Sequence, residues 1–184
     1  MPDELIIRHC SPTLAGLKTS NLIRVPFQGE KAMIREVVTL NQVLSRRGLR
    51  AILLHYSQGT GLIYLFRPSA LQRDLEQPQA KHLLMQAGYM PGDIYSLLVQ
   101  LCRRFKDGQT FPHEIGLFLG YPPADVEAYM AHPSEGVKFS GFWKVYTDED
   151  KAKATFASYR KCMRIYQKVY EKGRTLEQLI VPCV

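Results

Sequence analysis

The chain has 184 residues, of which 46% are apolar and 22% charged, with 13 glycines and 11 prolines. These proportions exclude a disordered tail and a collagen-like or low-complexity chain, and the length predicts a single domain over residues 1–184. No apolar run approaches the ~18 residues that cross a bilayer, and the first residues lack the basic and apolar regions of a secretion signal. We therefore expect a cytoplasmic protein without a transmembrane segment.

The first predicted elements are short. Residues 3–8 are typical of a helical or extended stretch, which is expected to break at 9–12 because of a proline. A single helical turn over 12–17 and a short strand over 21–25 are predicted to follow.

The next elements have stronger signals. Apolar residues recur at helical spacing over 30–47 and Gly48 supplies a stop, which predicts an amphipathic helix. Residues 50–56 and 62–67 are rich in β-branched and aromatic residues, and the glycine-containing segment 57–61 between them indicates a β-hairpin.

The rest of the chain is predicted to be mostly helical. Signals for the start of a helix recur at Ser69 (a capping box with Gln72), Pro78, Asp93, Pro112, Ala124 and Thr147. Residues 137–146 alternate enough to predict a strand, and the last helix is expected to run to about Lys172. The sequence therefore predicts an α+β fold. A small, mostly antiparallel sheet of three or four strands with a central β-hairpin would pack with about six helices.

The net charge of +7 is concentrated in the last predicted helix. Eight of the 24 basic residues and a single acid, Glu171, lie over 151–174, whereas the remaining sequence is balanced. One side of this helix is aromatic, and the other is basic, with Lys153, Arg160, Lys161, Arg164 and Lys168. Two interpretations stay open: a surface helix whose lysines are merely solvated, or a docking face for an anionic partner.

The stretch 114–130 resembles a helix-turn-helix, with Gly120 at the turn and Val126 as the buried valine. Reading DNA requires basic or amide side chains on the second helix, yet Asp125 and Glu127 are expected to be exposed there. A helical hairpin is therefore the favoured interpretation, and nucleic-acid binding ranks third among the candidate functions.

Cysteine and histidine spacing give little support to a metal site or a disulfide framework. The four cysteines are not arranged as Cys-x-x-Cys, and the five histidines show no i, i+4 spacing. We predict no metal and free thiols, with Cys102 in the core and Cys183 in the tail.

The first candidate site is the polar segment 9–21. A hydroxyl is expected to cap a helical turn whose backbone N–H groups point outward, next to a lysine, and such a helix N-terminus binds anions. The side chains expected there are His9, Ser11, Thr13, Lys18 and Ser20. This setting would lower the pKa of Cys10 and make it a nucleophile or redox thiol. The alternative is a polar loop that satisfies its own turn.

Two further segments are expected to frame the same pocket. In 110–114, His113 and Glu114 could pair as acid and base, or could serve the first turn of a helix. On a strand, Lys144 would lie among aromatic rings on one face and Trp143 on the other, where either face could be core.

Three segments, 10–18, 111–126 and 141–146, resemble the hallmarks of a bacterial family, domain of unknown function 3793 (DUF3793). Phe142 stands where that pattern leads us to expect tyrosine. The family comes mostly from anaerobic Firmicutes and has no established activity. The resemblance implies one cytoplasmic domain, and gene neighbours that encode flavodoxin or iron uptake imply redox or iron physiology, but no catalytic residue is transferred.

The leading hypothesis is a protein that binds a small anionic ligand, such as a nucleotide or a redox cofactor of unknown identity. Lys18 and Lys144 would bind the anion, and Cys10 or His113 would perform any chemistry. The alternative is a non-enzymatic adaptor that docks an acidic partner, such as a flavodoxin, through the basic helix. Whether the protein is an enzyme stays open.

Overall fold

The computed structural model describes residues 3–107 and 111–182. Two predicted positions, Thr110 and Cys183, lie outside this part of the chain. The described residues contain nine α-helices and five β-strands, so the α+β class is confirmed. None of the described helices is long and apolar enough to cross a membrane.

The chain divides into two compact units. The first unit comprises Met1–Ala70 and Lys161–Val184, and the second comprises Leu71–Arg160. That the whole chain forms one domain stays a prediction.

A three-stranded antiparallel sheet belongs to the first unit. Its strands are β1 (Ser20–Pro26), β2 (Arg50–Ser57) and β3 (Thr60–Phe66), and β3 lies between the other two. Gln58 and Gly59 both have positive φ angles, 49° and 71°, as a two-residue hairpin turn requires. The predicted hairpin and the predicted first strand are therefore confirmed.

Helix α1 (Asp3–Leu14) is continuous through Pro12, so the predicted break is wrong. A proline this close to the helix end removes few helical hydrogen bonds, and the buried Ile6 and Ile7 hold the helix against the core. The chain leaves the helix through Gly16, whose φ of 77° suits a glycine after a helix end.

Helix α2 (Glu30–Leu44) packs on β2 and continues as a short 3-10 turn, Ser45–Arg47, which Gly48 ends. Its buried residues recur at helical spacing, as predicted, at Met33, Val37, Leu40 and Leu44.

The second unit is mostly helical. It contains α4 (Pro78–Gln86), α5 (Ile94–Asp107), α6 (Ile115–Phe118) and α7 (Pro123–Ala131), with parts of α3 (Pro68–Glu76) and α8 (Glu149–Glu171). The cap predicted at Asp93 is confirmed, because its Oδ1 accepts from the Ser96 N–H at 2.7 Å. The cap predicted at Ser69 is wrong, because α3 begins one residue earlier.

Residues 137–146 do not form one strand. They form two short antiparallel strands, β4 (Phe139–Ser140) and β5 (Lys144–Val145), around a turn. Gly141 lies against Phe156, and a Cβ at this position would come within 2.3 Å of that ring, so a glycine is required. The prediction that residues 142–146 alternate between the two faces of a single strand is therefore wrong.

Helix α9 (Leu176–Leu179) closes the described chain in the first unit. The buried residues of α1, α2, the sheet and α9 form one apolar cluster, against which Tyr166, Val169 and Tyr170 of α8 also pack. The aromatic side predicted for the last helix thus faces a core over these residues.

Candidate functional site

The first predicted site lies inside the core of the first unit. Cys10, Ser11 and Thr13 are buried at the C-terminal end of α1. The Ser11 hydroxyl donates to the carbonyl of Ile7, and the Thr13 hydroxyl donates to Asn21 Oδ1 at 2.7 Å. A helix C-terminus carries a negative partial charge, so the predicted N-terminal anion site is wrong. His9 is exposed, but the helix N-terminus that it was expected to adjoin does not lie there.

Two buried basic side chains lie beside the turn that ends α1. Lys18 is 6% exposed, and its Nζ donates to the carbonyl of Ser20. Arg67, 5% exposed and absent from the sequence predictions, donates to three backbone carbonyls, those of Thr13, Leu14 and Val181, at 2.6, 2.7 and 2.7 Å. The arginine therefore satisfies carbonyls at the helix end. An arginine at the end of a strand carries no sequence signal for this role.

Burial also decides the chemistry of Cys10. Desolvation raises the pKa of its thiol to about 12, an effect that the nearby Lys18 only partly opposes. Desolvation likewise lowers the pKa of the Lys18 ammonium to about 7. The predicted low pKa of Cys10 is therefore wrong, and this residue is a packed core thiol.

A cleft of about 510 Å³ in the second unit contains the second predicted site. Its size lies within the range of small-molecule sites. The lining residues come from the end of α5, the segment before α6 and α7: Arg103, Arg104, Asp107, Phe111, Pro112, His113, Glu114 and Met130. We term it the His113 cleft.

Aromatic rings surround the exposed His113 side chain. The imidazole centroid lies 5.9 Å from that of Phe111 and 5.2 Å from that of Tyr129. Phe111 in turn meets Phe105 edge to face at 5.4 Å, and 44% of its surface is exposed. The cleft thus offers apolar ring surface beside a histidine.

Lys144 approaches the same group of rings. Its Nζ lies 5.5 Å from the centroid of Tyr129 and donates to the carbonyl of Pro133 at 2.8 Å. His113 and Lys144, predicted from separate segments, therefore flank one tyrosine within the second unit.

Glu114 has a different role from the predicted acid–base pairing. Its carboxylate is buried, and Oε1 accepts from Arg104 Nε at 2.7 Å and from the Tyr89 hydroxyl at 3.1 Å. Burial and this carboxylate raise the pKa of Tyr89, which keeps its hydroxyl a donor. None of the described hydrogen bonds joins Glu114 to His113, so Glu114 acts as the anchor of Arg104.

Trp143 is held by Asp125. The indole N–H donates to Asp125 Oδ2 at 2.8 Å, and the ring packs against Tyr121 at 5.0 Å and Phe156 at 4.4 Å. The other carboxylate oxygen accepts three bonds, from the N–H groups of Tyr146 and Thr147 and from the Thr147 hydroxyl. Asp125 is 2% exposed, so the expectation that it faces solvent is wrong.

A second cleft in the same unit, of about 480 Å³, is lined by Trp143 and by Asp74, Asp125 and Asp148. Of its described lining residues, Lys151 alone is cationic. Three carboxylates with one lysine repel an anion, whereas the two carboxylates of the His113 cleft are balanced by two arginines, so the His113 cleft is the better anion site of the two.

The predicted docking residues Lys153, Arg160, Lys161, Arg164 and Lys168 are all exposed on α8, whereas Ala152, Phe156 and Tyr159 are buried. Lys153 already pairs with Glu149 at 2.6 Å, so it is the least available of the five. The five predicted docking residues are therefore accessible to solvent, and their docking role stays a prediction.

The sequence model of a family described as "Protein of unknown function (DUF3793)" matches residues 6–180. The chain belongs to this family. No curated protein and no solved structure matches it. In this DUF3793 member, the motif segments 111–126 and 141–146 are linked by a hydrogen bond, because the indole N–H of Trp143 donates to Asp125. Gly141 and Trp143 also pack against Phe156.

Proposed function

We propose that the His113 cleft binds a small ligand that combines a flat ring with an anionic group, as a nucleotide or a redox cofactor does. The observation that carries the proposal is the position of His113 next to the rings of Phe111 and Tyr129, with the exposed Phe111 and Arg103 lining the same cleft. Aromatic side chains of this kind stack on flat rings, at about 1–3 kcal/mol per ring in nucleic-acid complexes.

Arg103 supplies the charge for the anionic group. Arg104 is neutralised by Glu114, whereas none of the described ion pairs includes the exposed Arg103. Its guanidinium can donate two parallel hydrogen bonds to a phosphate or carboxylate. Asp107 in the same cleft carries an equal and opposite formal charge, so the proposed site depends on direct contact with the Arg103 guanidinium and disfavours a polyanion.

His113 is the side chain placed to transfer a proton in this cleft. Its imidazole is exposed among the lining residues, where it can reach a ligand as a general acid or base. We propose His113, and not the buried Cys10, for any acid–base chemistry.

Thermal unfolding with a panel of AMP, NAD and FMN, each at about 1 mM, tests the proposal. A ligand at about 100 times its Kd stabilises the folded state by about 2.7 kcal/mol, which raises Tm by several degrees. We expect Arg103→Ala and Phe111→Ala to remove this rise, while Arg73→Ala, an exposed arginine of α3 outside the cleft lining, keeps it.

Two outcomes would contradict the proposal. One is the absence of any rise in Tm with every member of the panel. The other is a rise that persists unchanged in both cleft variants, since the ligand would then bind elsewhere.

We further propose that the protein acts in the cytoplasm. Cys10, Cys102 and Cys162 are free thiols, which suits a reducing compartment.

A further inference from the structure

The carboxyl-terminal half of α8 presents a strip of positive charge in the first unit. Its exposed basic residues are Lys161, Arg164 and Lys168, with Lys172 and Arg174 just beyond the end of the helix at Glu171. At about 100° and 1.5 Å per residue, the three helical side chains fall within an arc of about 60° over about 10 Å. We term this surface the basic strip.

The basic strip is little neutralised by its own chain. None of the described ion pairs includes any of its five residues. Glu171 is the one acidic residue of the segment, and it accepts a hydrogen bond from Gln167 at 3.0 Å. The strip therefore keeps a net positive charge.

An exposed apolar side chain lies at the edge of the strip. Ile165 is 48% exposed, and its neighbours on the helix surface are Lys161 at i−4 and Lys168 at i+3. The opposite side of the helix is anchored, because Tyr166 and Tyr170 pack against the core cluster. The orientation of the strip is therefore set by the fold of the first unit.

We propose that the basic strip docks an acidic protein surface that carries an apolar spot opposite Ile165. Protein interfaces combine an apolar centre with a polar rim, and complementary charge steers the encounter. Contacts with the phosphate backbone would use the cations of the strip but would leave the exposed Ile165 without an apolar partner, so DNA is the less favoured partner. A membrane would require a broad apolar face, but the apolar face of this helix is packed in the core. The basic strip shares no residue with the His113 cleft, so an experiment can contradict the docking proposal without contradicting the ligand-binding proposal, and the reverse.

Fluorescence anisotropy with defined probes tests this assignment. The main probe is a labelled helical peptide with glutamates along one face and a leucine among them, and a matched peptide carries glutamine in place of leucine. A DNA duplex and phosphatidylserine vesicles are the competing probes. We expect the leucine peptide to bind most tightly, and to bind less tightly as salt is raised.

Matched variants locate the surface. Reversing two exposed charges in Lys161→Glu/Lys168→Glu should weaken binding of the leucine peptide about tenfold. Lys31→Glu/Arg35→Glu makes the same change of charge on the exposed side of α2 and should leave binding unchanged. Ile165→Ala should remove the preference for the leucine peptide over the glutamine peptide.

Several results would overturn the proposal: tighter binding of the duplex or the vesicles, equal loss in the α2 variant, an unchanged preference in Ile165→Ala, or no binding of any probe at low salt. Circular dichroism confirms that each variant is folded. If the charge reversal unfolds the protein, Lys161→Gln/Lys168→Gln replaces it, with a smaller expected loss.

Discussion

Replacement of Asp125 by alanine removes a buried carboxylate that accepts four hydrogen bonds. A hydrogen bond to a charged group contributes about 1.5–3 kcal/mol, and a buried donor left without a partner costs about 1–3 kcal/mol. Thr147 is exposed, so water can replace the carboxylate at its two donors. The lost stability therefore comes mainly from the partly buried donors of Trp143 and Tyr146. We expect Asp125→Ala to lower the free energy of unfolding by about 4 kcal/mol.

Asp125→Asn tests the hydrogen bond to Trp143 separately from the hydrogen bonds to Tyr146 and Thr147. The amide oxygen can still accept at Tyr146 and Thr147, but the amide nitrogen then faces the indole N–H of Trp143, and two donors meet. Trp143→Phe removes that donor. We therefore expect this second change to cost about 1–2 kcal/mol less in the Asp125→Asn background than in the wild-type chain.

Urea unfolding followed by circular dichroism measures these free energies. Because Trp143 is the one tryptophan of the chain, its fluorescence also reports on this network in every variant that keeps it. Asp93→Ala is the matched control, an exposed carboxylate that caps α5 through the Ser96 N–H, and it should destabilise the protein much less than Asp125→Ala.

If Asp125→Ala destabilises the protein no more than Asp93→Ala, the carboxylate does not hold this network together. An equal cost of Trp143→Phe in both backgrounds would show that the indole and the carboxylate act independently, contrary to this prediction.

Three other predictions concern the packed regions. Gly141→Ala should destabilise the protein by about 1–3 kcal/mol, since its Cβ would overlap the Phe156 ring; an unchanged urea midpoint would contradict this. Cys10 should resist alkylation near pH 8 until the protein unfolds, as peptide mapping would show, and labelling at the rate of a free thiol would be inconsistent with its burial. The lowered pKa of Lys18, about 7 against 10.5, means that the unfolded state binds more protons above pH 7, so this residue makes stability rise with pH from about 7 upward. Above the ordinary thiol pKa of 9.0 the raised pKa of Cys10 acts in the opposite direction, because the unfolded thiol ionises first. Urea midpoints between about pH 7 and pH 9 should therefore rise less in Lys18→Met than in the wild-type chain, and parallel curves would contradict the assignment.

Elements with strong local signals were predictable. The spacing of Met33, Val37, Leu40 and Leu44, followed by Gly48, identifies α2, and the glycine-rich segment between two β-rich runs identifies the hairpin. The two faces of α8 follow from residue spacing alone, because one turn of helix returns a side chain to the same side.

The candidate site was only partly predictable. His113, Glu114 and Lys144 are recognisable as chemically capable side chains, but their partners Tyr129 and Arg104 carry no signal that separates them from ordinary helix residues. The error at residues 9–20 has a single cause: a proline ordinarily ends a helix, and here the burial of α1 outweighs its effect.

The amino-acid sequence by itself determined where most helices, the hairpin and the concentration of charge lie, because these depend on side chains within a few positions of one another. Only the tertiary structure decided that Cys10 and Lys18 are buried, that Asp125 bonds Trp143, and that His113 and Lys144 flank one ring. Burial, desolvation and hydrogen-bond partners depend on which distant segments pack together, and that information is absent from any local pattern of residues.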